Sequence, residues 1–300
     1  MAEAIPITDQ GGYLSFIRRS HHVLDCAGKT LDLRTPQIMG VLNITPDSFS
    51  DGGDFLSPDD AMMRAHQMLE QGAAIIDIGG ESTRPGAAAV AVDAELARVI
   101  PVIEALTKEL PIPISIDTSK PEVMRAAVRA GAGMINDVSA LREQGALQVA
   151  VELNVPVCLM HMQGKPRTMQ NSPHYENVVS EVESFLKERI NTCIEAGIAR
   201  EQLLIDPGFG FGKSLEHNLL LLRGLNELAG LNVPLVAGLS RKSMIGRLLG
   251  VPVHDRLYGS IALATLAVWH GASLVRVHDV RATKDAIGIV NAIRDVGLDA

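Results

Sequence analysis

The chain is poor in cysteine. Cys26, Cys158 and Cys193 are widely spaced and odd in number, and no pair has zinc or redox spacing. This argues against a thiolate metal centre and predicts reduced core or surface thiols in a reducing compartment. Basic charge is not in excess either. A formal net charge of -8 excludes a nucleic-acid surface built on bulk positive charge, while leaving room for a local basic pocket. No apolar run approaches the roughly 20 residues of a membrane span; the longest, around Ile261–Trp269, is closed by His270 and Gly271. The stretch Met1–Pro6 lacks a basic region followed by an apolar one, so no secretory leader is expected and the chain reads as cytoplasmic, with no membrane partner. Low-complexity tracts, charge blocks and signs of a second domain are also missing.

What remains is a chain of 300 residues with 47% hydrophobic and 21% charged residues, proportions typical of a globular protein able to bury a large core. Short runs rich in Ile, Val and Leu recur eight times, each followed by a polar residue or glycine. They are Gln37–Leu42, Ala74–Ile76, Ile112–Ile116, Gly133–Ile135, Pro156–Met160, Leu203–Ile205, Pro234–Ala237 and Ser273–Val275. Amphipathic helical segments lie between them. Pro58–Gln71 follows Ser57 as its N-cap and stops at Gly72, and Pro121–Ala130 lies between Ser119 and Gly131. Continuous rather than alternating apolar strands imply burial on both faces, as in a parallel sheet wrapped by helices. Eight such units in about 250 residues predict an α/β fold, a (β/α)8 TIM barrel. A doubly wound open sheet would have fewer strands and usually a Gly-rich phosphate loop after the first one, where this chain has the long Asn43–Gly53 loop.

Residues before Gln37 fall outside the repeat. Val23–Leu33 reads as two short strands around Ala27-Gly28-Lys29, a hairpin suited to plugging the barrel bottom. The expected organisation is an N-terminal extension over 1–22, a hairpin plug over 23–36 and the barrel over 37–298.

In such a barrel, polar residues at the C-terminal ends of strands face the active-site mouth. Asn43, Asp77, Asp117, Asn136, Asp206 and Arg276 all occupy such ends. One Asp or Asn alone is more simply a loop or cap residue; six at one edge predict a polar site. Carboxylates accept hydrogen bonds from ring N–H and amino groups, and an Asn amide both donates and accepts. Asp117, Asn136 and Asp206 therefore suit a flat, nitrogen-rich ring such as a 2-amino-4-oxo pterin. Metal ligation by the three is disfavoured, because Asn is a poor third ligand and no His cluster accompanies them.

Lys242 and Arg276 add positive charge near the mouth. Ser240–Ser243 follows Gly238 and is expected to open a helix whose free N–H groups suit an anion; the simpler readings are an N-cap for Ser240 and a solvated charge for Arg241. The loop Gly79–Gly86, with Arg276 and His278, offers donors for a pyrophosphate. Asn43 is a neutral oxygen ligand of the kind Mg2+ takes alongside waters and phosphate oxygens. Pro207–Ser214 imitates a P-loop, but Pro207 stands where the first glycine is required, and the dinucleotide pattern fails as well. Phe211 offers an aromatic wall to a ring substrate, or else core packing.

Together these stretches resemble the dihydropteroate synthases, within the wider pterin-binding barrel family. The residues that carry the resemblance are Met39–Gly53, Asp77–Gly86, Ser115–Thr118, Asn136-Asp137, Met160–Met162, Asp206–Lys213, Ser240–Ser243 and Arg276–Asp279. They run in order along nearly the whole chain and are highly specific in combination. The resemblance implies that Asp117, Asn136, Asp206 and Lys242 hold the pterin and that Asn43 ligates Mg2+. It gives Thr83, Arg84, Arg276 and His278 the pyrophosphate, with Asp77 supporting the loops. Ser240, Thr83, Pro85 and Phe211 would shape a para-aminobenzoate site over which Phe49 and Pro85 close, and where sulfonamides would compete. It also implies a homodimer. The rivals are a corrinoid-linked methyltransferase, which handles no pyrophosphate; a Schiff-base aldolase using Lys242; and a non-catalytic pterin-binding paralogue, against which the intact Arg and Mg2+ positions speak.

Overall fold

Strands buried on both faces can only sit inside a layer of helices, and that is where this chain places them. The structure, a computed structural model, describes residues 22–45, 58–82, 86–164 and 168–296. In chain order its main elements are β1 (Val23–Cys26), β2 (Lys29–Asp32), β3 (Gln37–Asn43), α1 (Pro58–Glu70), β4 (Ile75–Gly79), α2 (Val92–Glu109), β5 (Ile114–Asp117) and α3 (Pro121–Arg129). There follow β6 (Met134–Asp137), α4 (Ala146–Leu153), β7 (Val157–Met160), α5 (Val178–Glu195), β8 (Leu203–Asp206), α6 (Leu215–Arg223) and α7 (Leu225–Ala229). The chain continues with β9 (Val236–Ala237), α8 (Ser243–Leu249), α9 (Leu257–Trp269), β10 (Leu274–Val277) and α10 (Val280–Asp295).

Strands β3 to β10 form one eight-stranded sheet in the order β8-β7-β6-β5-β4-β3-β10-β9. Its neighbouring strands are parallel, and a parallel bridge between Ile205 and Leu235 joins the two edges. The expected barrel is therefore present and closed. Several strands run one to three residues further than the apolar runs alone indicate, so that Asn43, Asp77, Asp117, Asn136, Asp206 and Arg276 are strand residues themselves.

The period-2 alternation of strands splits the interior into two cores. Ile38, Leu42, Ile76, Ile78, Ile135 and Leu159 join the layer shared with the helices. Met39, Ile75, Met134, Cys158, Leu204, Val236 and Leu274 pack inside the barrel with Leu24, Cys26, Leu31 and Leu33. The last four belong to the antiparallel β1–β2 hairpin and the residue after it, and are all at most 2% exposed. Burying each of the three leucines favours the docked hairpin by roughly 1.5–3 kcal/mol. The hairpin turns through Ala27 and Gly28, both left-handed (φ 55° and 87°), as a two-residue turn of this hand requires. It lies so close to the start of β6 that a Cβ on Gly133 would stand 2.2 Å from the Cys26 carbonyl oxygen.

Local details differ from the sequence expectation in two places. Lys120, not Ser119, is the N-cap of α3; the Ser119 hydroxyl instead donates to the buried Asp137 carboxylate. The helix expected from Ser240 starts only at Ser243 and is seven residues long, because Arg241 adopts a left-handed conformation (φ 57°) that a helix cannot contain. All three cysteines are free and buried. Among the described residues, no helix is long and apolar enough to cross a membrane.

Candidate active site

The inward residues at the C-terminal ends of the strands meet in one cleft. It is lined by Asp117, Asn136, Val138, Met160, Asp206, Phe211, Gly238, Ser240, Lys242, Arg276 and His278. Its centre is the Arg276 guanidinium, which reaches across the mouth from β10. Its Nε donates to Asp77 Oδ2 at 2.6 Å and its Nη2 to Asp117 Oδ2 at 2.7 Å. Asn136 Nδ2 donates to the same Asp77 oxygen at 3.1 Å. Asp77 is fully buried and sits beneath the mouth, where it holds both Arg276 and Asn136.

On the opposite side, Asp206 Oδ1 accepts the Gly208 N–H at 2.7 Å, and the Lys242 ammonium lies 4.5 Å above the Phe211 ring while donating to the Phe209 carbonyl. Ser240 Oγ and His278 Nδ1 are 3.0 Å apart. The His278 N–H also donates to that hydroxyl at 3.2 Å, and the His278 carbonyl accepts from Arg64 on α1 at 2.8 Å. Ser240 is thus a partner of His278 rather than a helix cap. Arg241, whose simpler reading is a solvated charge, makes a two-pronged ion pair with Asp279 at 2.6 and 3.0 Å.

Packing so many charges into one mouth perturbs them. Burial pushes the Asp117 carboxyl up to about 7; Arg276 opposes the shift, and Asp77, Asp137 and Glu95 reinforce it. Burial also raises Asp206 against the pull of Lys242, and lowers Lys242 to about 8 against the pull of Asp206. Such a group of perturbed titratable residues in a cleft marks a functional site. Because folded Asp117 keeps its proton well above the ordinary 3.8, its contribution favours folding at acid pH and is lost as pH rises through about 7. Asp117→Asn is therefore expected to flatten the dependence of denaturation midpoint on pH between about 4 and 7. An unchanged slope in urea titrations would reject this account.

The structure brings together Asp77, Asp117, Asn136, Asp206, Phe211, Ser240, Lys242, Arg276 and His278. Asn43 ends β3 beside them: a Cβ built on Gly79 would lie 3.6 Å from Asn43 Oδ1 and 3.7 Å from Asp117 Oδ2. Phe49, Thr83, Arg84 and Pro85 lie outside the described residues. Among the described residues, no group of three or more His, Cys, Asp and Glu side chains is placed to hold a metal. A single amide oxygen at the rim fits a hydrated Mg2+ that takes its other ligands from water and phosphate.

Sequence reasoning missed Val138 and Met160, which form the apolar wall of the cleft. Counting two residues on from the inward Asn136 and Cys158 would have found them. Asp137 follows Asn136 in the same motif, yet it turns the other way. Its carboxylate accepts the N–H groups of Ser139 and Leu141 at 2.8 and 2.7 Å and holds a turn in which Ala140 and Leu141 are both left-handed (φ 53° and 57°).

A barrel with carboxylates, an amide and cations gathered at its C-terminal mouth defines a class of enzyme. The model of the family described as "Pterin binding enzyme" matches residues 39–278, and the chain belongs to that family. Within it the chain belongs to the dihydropteroate synthases, which are transferases. The dihydropteroate synthase of Escherichia coli is 55% identical over 265 residues, covering 88% of this chain and 94% of that one. Among solved structures, Yersinia pestis dihydropteroate synthase in complex with a sulfonamide drug matches with a TM-score of 0.89 and 51% identity, over 91% of this chain and 100% of that one. The Xanthomonas albilineans dihydropteroate synthase in complex with 7,8-dihydropteroate matches with a TM-score of 0.84 and 52% identity, over 91% and 99%.

Proposed function

We propose that this chain condenses 6-hydroxymethyl-7,8-dihydropterin pyrophosphate with para-aminobenzoate, releasing 7,8-dihydropteroate and pyrophosphate, the step that builds the pteroate core in folate biosynthesis. One observation carries the reading: Asp117, Asn136 and Asp206 converge on one cleft together with Arg276 and Lys242. The carboxylates accept from the pterin ring N–H and amino groups, the Asn136 amide pairs with both kinds of group, and Lys242 donates to the ring's oxygen or nitrogen acceptors.

Arg276 and His278, with Thr83 and Arg84, receive the pyrophosphate. Asn43 would hold Mg2+, which when bound neutralises pyrophosphate charge. The methylene carbon–oxygen bond breaks and its electron pair leaves with pyrophosphate, whose growing charge is met by the Arg276 guanidinium. The arylamine nitrogen bonds to that carbon, and its proton passes to water or phosphate. Ser240 and Phe211 shape the arylamine site, together with Thr83, Pro85 and Phe49. No side chain is needed as a covalent nucleophile. A methyltransferase would have no use for a pyrophosphate site. Incubation with the pterin pyrophosphate and labelled para-aminobenzoate tests the reading. The label should move into dihydropteroate; label that stays in free arylamine, while the pterin still binds, would leave a non-catalytic paralogue.

The reading extends to a cytoplasmic homodimer. The support for the homodimer is a group of exposed apolar side chains on two packed helices, Tyr258, Leu266 and Trp269 on α9 with Ile289 and Ile293 on α10, each 46% exposed or more. Exposed apolar side chains grouped on packed helices mark interfaces. The double variant Trp269→Asp, Ile289→Asp should halve the mass measured by light scattering. An unchanged dimer mass would place the interface elsewhere.

A further inference from the structure

Lys213 takes no part in the chemistry above, yet it is 2% exposed. Its ammonium nitrogen lies 2.9 Å from His161 Nδ1, 2.9 Å from the Gly208 carbonyl and 3.1 Å from the Phe211 carbonyl. Two of those three acceptors belong to the glycine-rich loop that imitates a P-loop. The loop runs through left-handed Gly208, Gly210 and Gly212 (φ 69°, 80° and 61°) and has no regular hydrogen-bond ladder of its own. Side chains replace it. The Phe209 carbonyl accepts from Lys242, the Gly210 carbonyl from Gln170 at 2.5 Å and the Gly212 carbonyl from Tyr175 at 2.9 Å. Asn218 Oδ1 accepts the Gly210 N–H at 2.7 Å. Every carbonyl from Gly208 to Gly212 is thus held by a side chain, and Lys213 holds two of them from the buried side.

The third acceptor steadies the lysine. Burial, together with the charges of Lys213 and Arg142, pushes the His161 imidazole down to about 2, so the ring is neutral and Nδ1 accepts when Nε2 carries the hydrogen. The ring is fixed edge-on against Phe185, with centroids 4.9 Å apart. Burial lowers the Lys213 amine well below its ordinary range while Asp206 pulls it up; the three acceptors around it match the three N–H donors of its charged form.

We propose that Lys213 is a positioning residue for the arylamine site: it fixes the backbone at Gly208 and Phe211, and thereby the Phe211 ring that walls the cleft beneath Lys242. The inference rests on the assignment of Phe211 to para-aminobenzoate. A double-mutant cycle of Lys213→Met and Phe211→Ala separates positioning from general support of the fold, because residues that act through one another are not additive. Phe211→Ala should raise KM for para-aminobenzoate about tenfold, as loss of an aromatic contact would. Lys213→Met should raise it comparably, shift KM for the pterin pyrophosphate far less, and add little in the double variant. An arylamine KM unmoved by Lys213→Met, or effects that multiply in the double variant, would overturn the proposal. An arylamine KM unmoved by Phe211→Ala would remove the arylamine-site assignment, and the proposal with it. If Lys213→Met does not fold, Lys213→Gln, which keeps an N–H donor at the two carbonyls, takes its place in the cycle and should show a smaller, equally non-additive rise; a multiplying effect there would overturn the proposal.

Discussion

Replacing Arg276 with methionine is expected to lower Tm by roughly 10 °C and to remove measurable binding of the pterin pyrophosphate. The substitution nearly preserves volume, so packing changes little; what it removes is the charge between Asp77 and Asp117. Asp77 is fully buried, and the side chains of Arg276 and Asp117 are 21% and 10% exposed. Taking one partner from a buried ion pair costs about 3–5 kcal/mol, because the other charge is left in a medium that cannot solvate it. The companion variant Arg276→Met, Asp77→Asn should recover part of the lost Tm, since the orphaned carboxylate is then a neutral amide. It should recover no binding, because the pyrophosphate still lacks its guanidinium. Equal Tm values for wild type and Arg276→Met in a differential scan would mean that the Asp77–Arg276–Asp117 arrangement is not what the geometry indicates.

Lys242→Ala should reduce kcat/KM by about 10²–10³-fold, the usual effect of deleting a charged donor aimed at the reacting groups. The side chain touches three parts of the site: it opposes the Asp206 charge, donates to the Phe209 carbonyl and stacks on Phe211. Its amine is held near 8 by burial, so in the free enzyme it loses charge as pH rises through about 8, and activity that depends on the ammonium should fall there. A loss of less than about fivefold in steady-state assays at pH 7 would show that Lys242 serves the fold and not the substrate.

Much of this site was legible in the sequence because the barrel converts position into function. A run such as Ile114-Ser115-Ile116 must be a buried strand, so the polar residue that ends it, Asp117, has to stand at the rim. The same logic located Asp77, Asn136, Asp206 and Arg276 without any knowledge of their partners. The hairpin was legible too, from two apolar runs around a turn. The connections between sites were not. That Arg276 would cross the mouth to Asp77, 199 residues away, depends on barrel closure, which no local pattern encodes. Lys213 follows Gly212 in a stretch that imitates a P-loop, and only the approach of His161, just after β7, turns it into a buried cation. Asp137 shows the limit most simply: adjacent to Asn136 in sequence, it faces the opposite side of the strand and anchors a turn instead of a ligand. The helix start at Ser243 was misplaced because the left-handed turn at Arg241 is imposed from outside, by Ser260, which accepts the Arg241 N–H, and by Asp279.

The central claim is that the carboxylates in the mouth read the nitrogen edge of a pterin. Calorimetric titration of dihydropterin pyrophosphate into wild type and Asp206→Asn tests it most directly. The amide oxygen can still accept the Gly208 N–H, so the loop should keep its place, while loss of the counter-charge to Lys242 should lower Tm by a few degrees. An NH2 group replaces the other oxygen and sets a donor against the ring N–H groups, which removes charge-assisted hydrogen bonds and should weaken binding about 100-fold. An affinity within about threefold of wild type, with the fold intact, would contradict the claim and place the pterin elsewhere.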